Sequence, residues 1–132
     1  MALIDSRIVP IKNVKAYNIY GGGCRNIGLS LARGKYVYFC DSDDYALPSL
    51  ISECLDKCEC LNADICCFKH KRVDANTGKI EPKEYGLNFD FLHGNMTTYN
   101  CNSSKNVFIA SGTEVWDKFY RKSFLNEINA SF

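Results

Sequence analysis

Asp41, Asp43 and Asp44 place three carboxylates within four residues, directly after the apolar run Tyr36-Val37-Tyr38-Phe39-Cys40. Side chains of that kind, closely spaced and rich in oxygen, suit a hard divalent cation. The run before them has the length and the aromatic and β-branched content of a buried strand, with Gly34 as punctuation ahead of it. A sheet interior does not accept unpartnered carboxylates, because burial either costs free energy or forces them to give up their charge. The acids are therefore expected just past the carboxyl end of the strand, and in an open α/β sheet that is where ligands bind.

Three other groups of residues are candidates for chemistry. Gly21-Gly22-Gly23 runs straight into Arg25-Asn26-Ile27-Gly28-Leu29, and a glycine-rich turn at a helix start can present free amides to a phosphate. The stretch matches neither the Walker pattern nor the spaced glycines of a dinucleotide site, so a plain flexible turn is an equal reading. Eight cysteines are present, with no Cys-x-x-Cys pair to indicate zinc. Cys40, Cys66 and Cys67 fall in apolar strand-like runs, while Cys54 and Cys58 lie one helical turn apart. That placement favours reduced core thiols over a structural disulfide, and zinc least. His70 and His93 each stand among polar neighbours and are expected to be solvated.

The elements that would position these residues follow from the patterning. Arg7 to Ile11 reads as a short strand, in which Pro10 marks either a sheet edge or the strand's end. Arg25 to Arg33 reads as a helix with Gly34 as its C-cap. Pro48 suits the first turn of a helix running to about Cys60, with Leu50, Ile51, Cys54, Leu55 and Cys58 on one face. Asp64 to Val73 reads as one strand leaving the core, followed by an Asn76-Thr77-Gly78 turn and a hairpin return through Ile80. Residues 84 to 106 lack periodicity and read as loop. Val107 to Ala110 is strand-like, Val115 to Tyr120 reads as a strand or turn, and Ser123 is placed to cap a last helix carrying Phe124, Leu125 and Ile128.

The totals bound the function. A chain of 132 residues with 46% hydrophobic and 13% aromatic content is one globular domain's worth of sequence. Sixteen basic against fifteen acidic residues leave a formal charge of +1, so no bulk field points to nucleic acid or to an anionic membrane. The first residues lack the basic start and apolar core of an export leader, and no apolar run approaches the ~20 residues of a membrane span. A soluble, cytoplasmic protein is expected.

Taken in order, the glycine-rich stretch, Arg25-Asn26-x-Gly28, Ala32-x-Gly34-Lys35-Tyr36, Phe39-x-Asp41-Ser42-Asp43-Asp44 and Pro48 resemble the family 2 glycosyltransferases of the GT-A fold. A second match, Trp116-x-Lys118-x-Tyr120-Arg121-x-Ser123-Phe124-Leu125, looks like the segment that follows the sugar-binding half of many bacterial polysaccharide members. The resemblance covers residues 7 to 74 and 107 to 132. It implies an α/β fold, a partial Rossmann-like three-layer α/β/α sandwich with a mainly parallel sheet, formed as a single domain over residues 1 to 132. It also implies a nucleotide-sugar donor, usually a UDP-sugar, and a saccharide acceptor. Asp41 would lie near the ribose and, with Asp43, on a magnesium or manganese ion. Asp44 would support the metal or a sugar hydroxyl, and Arg25 and Asn26 would line the nucleotide pocket.

The sequence also departs from that pattern. Family members open with strands ending in Pro-x-Tyr-Asn-like and Asp-Gly-Ser-like turns, and continue past the Trp-x-Lys segment to an acidic pair that supplies the catalytic base. Neither feature is found in this sequence, so no catalytic base is assigned and the chain resembles the middle of such an enzyme. An inactive remnant that self-associates into a homo-oligomer through unpaired sheet edges is the alternative reading. A haloacid-dehalogenase-like phosphatase also ends an apolar strand in Asp-x-Asp, but Tyr45 stands where that pattern wants Thr or Val.

Overall fold

The computed structural model describes residues 5–12, 21–87, 98–100, 102 and 110–132. The chain divides into two compact units, residues 1–33 with 130–132, and residues 34–129.

In the first unit, helix α1 spans Gly21–Leu31. The three glycines form its first turn rather than a loop ahead of it. Glycine is a poor helix former, so its presence here has a packing reason. A Cβ at Gly22 would lie 2.5 Å from the backbone oxygen of Phe132, so a larger residue there would displace the backbone of Phe132. The Asn26 amide fastens the same contact from the next turn, its Nδ2 donating to the Phe132 oxygen at 2.9 Å and its Oδ1 accepting from the Phe132 amide at 2.9 Å. The helix stops at Leu31, before Arg33, and Gly34 does not take the positive φ of a left-handed cap. Residues 7–11 are not a strand. Asp5 and Arg7 instead pair side chains at 2.6 Å, the Ile8 amide donates to the Asp5 carbonyl, and Ile8, Val9 and Ile11 are exposed.

The second unit holds a three-stranded sheet, a helix across it and a separate hairpin. Strand β1 covers Tyr36–Tyr38, helix α2 Leu50–Leu61, strand β2 Ile65–Cys67, strand β3 His70–Val73, strand β4 Ile80–Tyr85, strand β5 Lys118–Arg121 and helix α3 Lys122–Glu127. The larger sheet has the order β1-β5-β2. Tyr38 pairs with Phe119 and Cys66 with Phe119, both ladders antiparallel. The pairings between described residues are thus all antiparallel, which corrects the expected mainly parallel sheet. β1 and β2 do run in the same direction, as a strand-helix-strand unit requires. β5 inserts between them in the opposite sense and takes both ladders.

Alternation along these strands sorts their side chains into two faces. Tyr36 and Tyr38 of β1, Phe119 of β5 and Cys66 of β2 meet Leu50, Cys54 and Cys58 of α2. Tyr36 stacks on Phe119 with centroids 5.1 Å apart. The opposite face carries Phe39 against Tyr120 edge to face. On α2 the buried line is therefore Leu50, Cys54 and Cys58, while Ile51 and Leu55 stay exposed. Pro48 lies in the turn before the helix, Ser49 is its N-cap, and Asn62 closes it in the left-handed region at φ 48° with its amide on the Cys58 carbonyl. Ser123 lies inside α3, whose N-cap is Arg121, and Leu125 is its buried residue.

Residues 64 to 73 do not form one strand. After β2, the Phe68 amide still donates to the Asp117 carbonyl at 3.1 Å, and the chain then leaves the sheet to start the β3–β4 hairpin. The expected turn is built around Asp74, whose Oδ1 accepts from the amides of Asn76 and Thr77 and from the Thr77 hydroxyl. Gly78 follows at φ 68°, a left-handed position that suits glycine. The register slips between Lys71 and Val73. Pro82, which has no amide to give a ladder, falls in that irregular stretch of β4. The expected strand from Val107 and the solvated state of His93 concern residues outside those described.

Candidate functional site

β1 ends where the apolar run ends. Phe39 is buried, Cys40 is exposed, and Asp41 to Asp44 form a turn in which the Asp44 amide donates to the Asp41 carbonyl at 3.1 Å. The three acids thus lie past the carboxyl end of the strand, as their chemistry demands. Burial, and then the neighbouring charges of Asp43 and Asp41, hold the Asp44 carboxyl above the ordinary carboxylate range, with His70 opposing the shift. The Tyr38 phenol, at the end of β1, is pushed up by burial, by a hydrogen bond with Cys40 and by the charges of Asp44 and Asp41. Tyr38 therefore stays neutral beside a cluster of negative charge.

The surroundings of His70, whose charge opposes the Asp44 shift, are not those that sequence patterning suggests. His70 is not a solvated histidine. Its ring stacks on Tyr85 at 5.7 Å and meets Trp116 edge to face at 4.4 Å, and its Nδ1 is buried with no hydrogen-bond partner. Gly86, at φ 99°, lets the chain pass close by, since a Cβ there would lie 2.9 Å from the Phe68 carbonyl oxygen and 3.4 Å from His70 Nδ1. The polar neighbours of His70 in sequence concealed this, because β3 alternates and its first residue turns toward aromatic partners far along the chain.

The Trp-x-Lys-x-Tyr-Arg segment serves as scaffold. Asp117 and Lys118 form a buried ion pair at 2.6 Å, and Lys118 Nζ also donates to the Glu114 carbonyl. Arg121 Nε donates to Asp64 Oδ1 at 3.0 Å, and its terminal nitrogen donates to Asn62 Oδ1 and the Ala63 carbonyl. Those bonds tie β5 to the turn between α2 and β2. Lys35 pairs with Glu59 at 2.6 Å and links the start of β1 to the last turn of α2.

Asp41, Asp43 and Asp44 are brought together by the second unit. Arg25 and Asn26 belong to α1 in the first unit, where Arg25 lies beside Gly21 and Asn26 is engaged by residues 131 and 132. Among the described residues no three His, Cys, Asp or Glu side chains are arranged to hold a metal ion by themselves. The acidic turn nonetheless fits a hard cation in its donor set. Like charges crowd there, and magnesium in nucleotide sites is commonly held by one or two carboxylates together with phosphate oxygens rather than by an all-protein cage.

A short strand, a helix packed across it and a carboxylate turn at the strand's end define an α/β domain with its polar site on the carboxyl edge. Residues 7–127 match the family described as Glycosyl transferase family 2, and the chain belongs to that family. It is 48% identical over 48 residues to UDP-Glc:alpha-D-GlcNAc-diphosphoundecaprenol beta-1,3-glucosyltransferase WfaP of Escherichia coli, a match covering 36% of this chain and 18% of that protein. It is 43% identical over 49 residues to an uncharacterized glycosyltransferase of Methanocaldococcus jannaschii, covering 37% of this chain and 16% of the relative. The matched stretch is thus less than a fifth of the length of either curated relative. No solved structure matches the chain. Family and relatives together support a glycosyl-transfer function and weigh against the phosphatase reading of the same acidic strand end. No described helix is long and apolar enough to cross a membrane.

Proposed function

We propose that the turn from Asp41 to Asp44 is the diphosphate-facing side of a donor site in a nucleotide-sugar-dependent glycosyltransferase, with a UDP-sugar as donor and a saccharide as acceptor. The observation that carries this reading is the gathering of Asp41, Asp43 and Asp44 at the end of β1, where burial and then the charges of Asp43 and Asp41 hold the Asp44 carboxyl above its ordinary range. Membership of the family supports it, as does the UDP-Glc in the name of one relative.

In this proposal Asp43 and Asp41 hold magnesium or manganese, and Asp41 also faces the ribose. A divalent cation there supplies positive charge to the β-phosphate as the nucleoside diphosphate departs. Asp44 orients the site or a sugar hydroxyl, and the neutral Tyr38 phenol can donate a hydrogen bond without adding negative charge. Arg25 is assigned to the nucleotide, where its guanidinium offers fixed donors to anionic or carbonyl oxygens. Asn26 is assigned to the same ligand, and its amide would have to exchange the Phe132 backbone for it.

Titration of the chain with UDP and manganese by calorimetry tests the proposal. Heat that requires manganese and disappears in Asp43→Ala, with an unchanged circular dichroism spectrum, is the expected result. Absence of heat at millimolar UDP with manganese present overturns it. β1 and β2 each pair on one side only among the described residues, which favours the further proposal that copies of the chain associate through those edges. A strictly monomeric mass in solution would remove that part.

A further inference from the structure

Three thiols converge between α2 and the sheet. Cys54 and Cys58 lie one turn apart on the buried face of the helix, 4% and 0% exposed, and Cys66 of β2 packs against them. The three thiols lie close enough to shift one another's titration. Cys66 is also the one of the three that is only half-buried. Among the described residues no such trio is arranged for metal ligation. We propose that Cys66 is a peroxide-sensitive thiol that closes a disulfide with Cys54 when oxidised, locking α2 onto β2.

The step balances as follows. The Cys66 thiolate attacks one oxygen of hydrogen peroxide, the O–O bond breaks, and hydroxide leaves, giving a sulfenic acid on Cys66. The Cys54 sulfur then attacks the Cys66 sulfur, the S–O bond breaks, and the Cys54 proton departs with the oxygen as water. Two thiols are oxidised and one peroxide is reduced to water. Cys66 packs against the cluster that holds Cys54, and the two sulfurs must close to ~2.05 Å.

Alternation along β2 selects Cys66 over its neighbour. Cys66 faces α2, where thiol donation from Cys54 and then Cys58, helped by the charge of Lys57, outweighs burial and lowers its pKa to about 7. Cys67 faces the other way, and burial pushes it up to about 11. The thiolate is the reactive form, so adjacent cysteines in sequence differ in reactivity through the face each occupies.

Peroxide treatment of the unmodified chain, quenched by alkylation and read by intact mass and peptide mapping, tests this directly. The expected product has lost two hydrogens, yields a linked Cys54–Cys66 peptide, forms faster as pH rises through about 7, and reverts with dithiothreitol. Cys66→Ser should abolish it, Cys54→Ser should leave a sulfenic acid on Cys66 that dimedone traps, and Cys67→Ser should leave the product unchanged. First oxidation at Cys24, Cys40 or Cys60 with Cys66 intact overturns the proposal. So does a Cys58–Cys66 link in place of Cys54–Cys66. Because the unmodified chain supplies the primary reading, a variant that fails to fold does not decide the matter.

Discussion

At the acidic turn, burial and then the charges of Asp43 and Asp41 raise the pKa of Asp44, so its ionised form is disfavoured by folding. The penalty is present above the folded pKa and vanishes as pH falls below the unfolded carboxylate value. Asp44→Asn is therefore expected to raise the melting temperature at neutral pH, with the gain closing on acidification, as thermal melts across pH would show. Manganese should produce a similar rise in the wild-type chain and a smaller one in Asp43→Ala. His70 gives a second expectation at this scale. Gly86→Ala forces a side chain into positive φ and toward the Phe68 carbonyl, and should destabilise the chain by about 1–3 kcal/mol in urea melts. The acids could be found from sequence because a charge cluster after an apolar run is a local signal. The role of His70 could not, because Tyr85 and Trp116 reach it from other elements.

Among the elements, those governed by neighbouring residues matched their patterns. The β1 run, the extent of α2 and the hairpin turn at Asp74 follow from spacing and turn chemistry, although two residues of the expected α2 stripe, Ile51 and Leu55, are exposed. Where partners lie far away, patterning fell short. Residues 7–11 have strand composition but no ladder among the described residues, and the run from Asp64 to Val73 splits because the ladder with β5 ends at Cys67, with Phe68 reaching only the Asp117 carbonyl just before that strand. The glycines of α1 looked like a loop because propensity cannot register the close approach of Phe132. The hairpin offers a test with a clear sign. Bonds from Thr77 and Asn76 hold the Asp74 carboxyl below its ordinary range, so its contribution is present above the unfolded value and fades as pH falls through the folded one. Asp74→Ala should loosen β3 and β4 at neutral pH, read as faster amide exchange there, and the difference from wild type should shrink in acid.

Over the whole molecule, the expected direction of the sheet was the part least readable in advance. Strand composition at residues 118–121 says nothing of which strands β5 will join, or in which sense. Its burial explains an otherwise odd choice of residues. Asp117 and Lys118 are buried yet charged, and each is tolerable because the other is there. Lys118→Met should cost about 3–5 kcal/mol by leaving Asp117 unpaired in the interior, whereas the double variant with Asp117→Asn should recover much of that loss. Chemical denaturation of the three variants would check it. The position of β5 in the order β1-β5-β2 also constrains how the chain assembles during synthesis. β1, α2 and β2 leave the ribosome together but cannot form their ladders, because the strand between them is encoded about eighty residues after Tyr38. Until Lys118 to Arg121 emerge, the acidic turn sits on an unpaired strand beside exposed apolar faces. The nascent chain must wait for a late segment to fasten its own acidic edge, and until that segment emerges it is most open to chaperones and proteases.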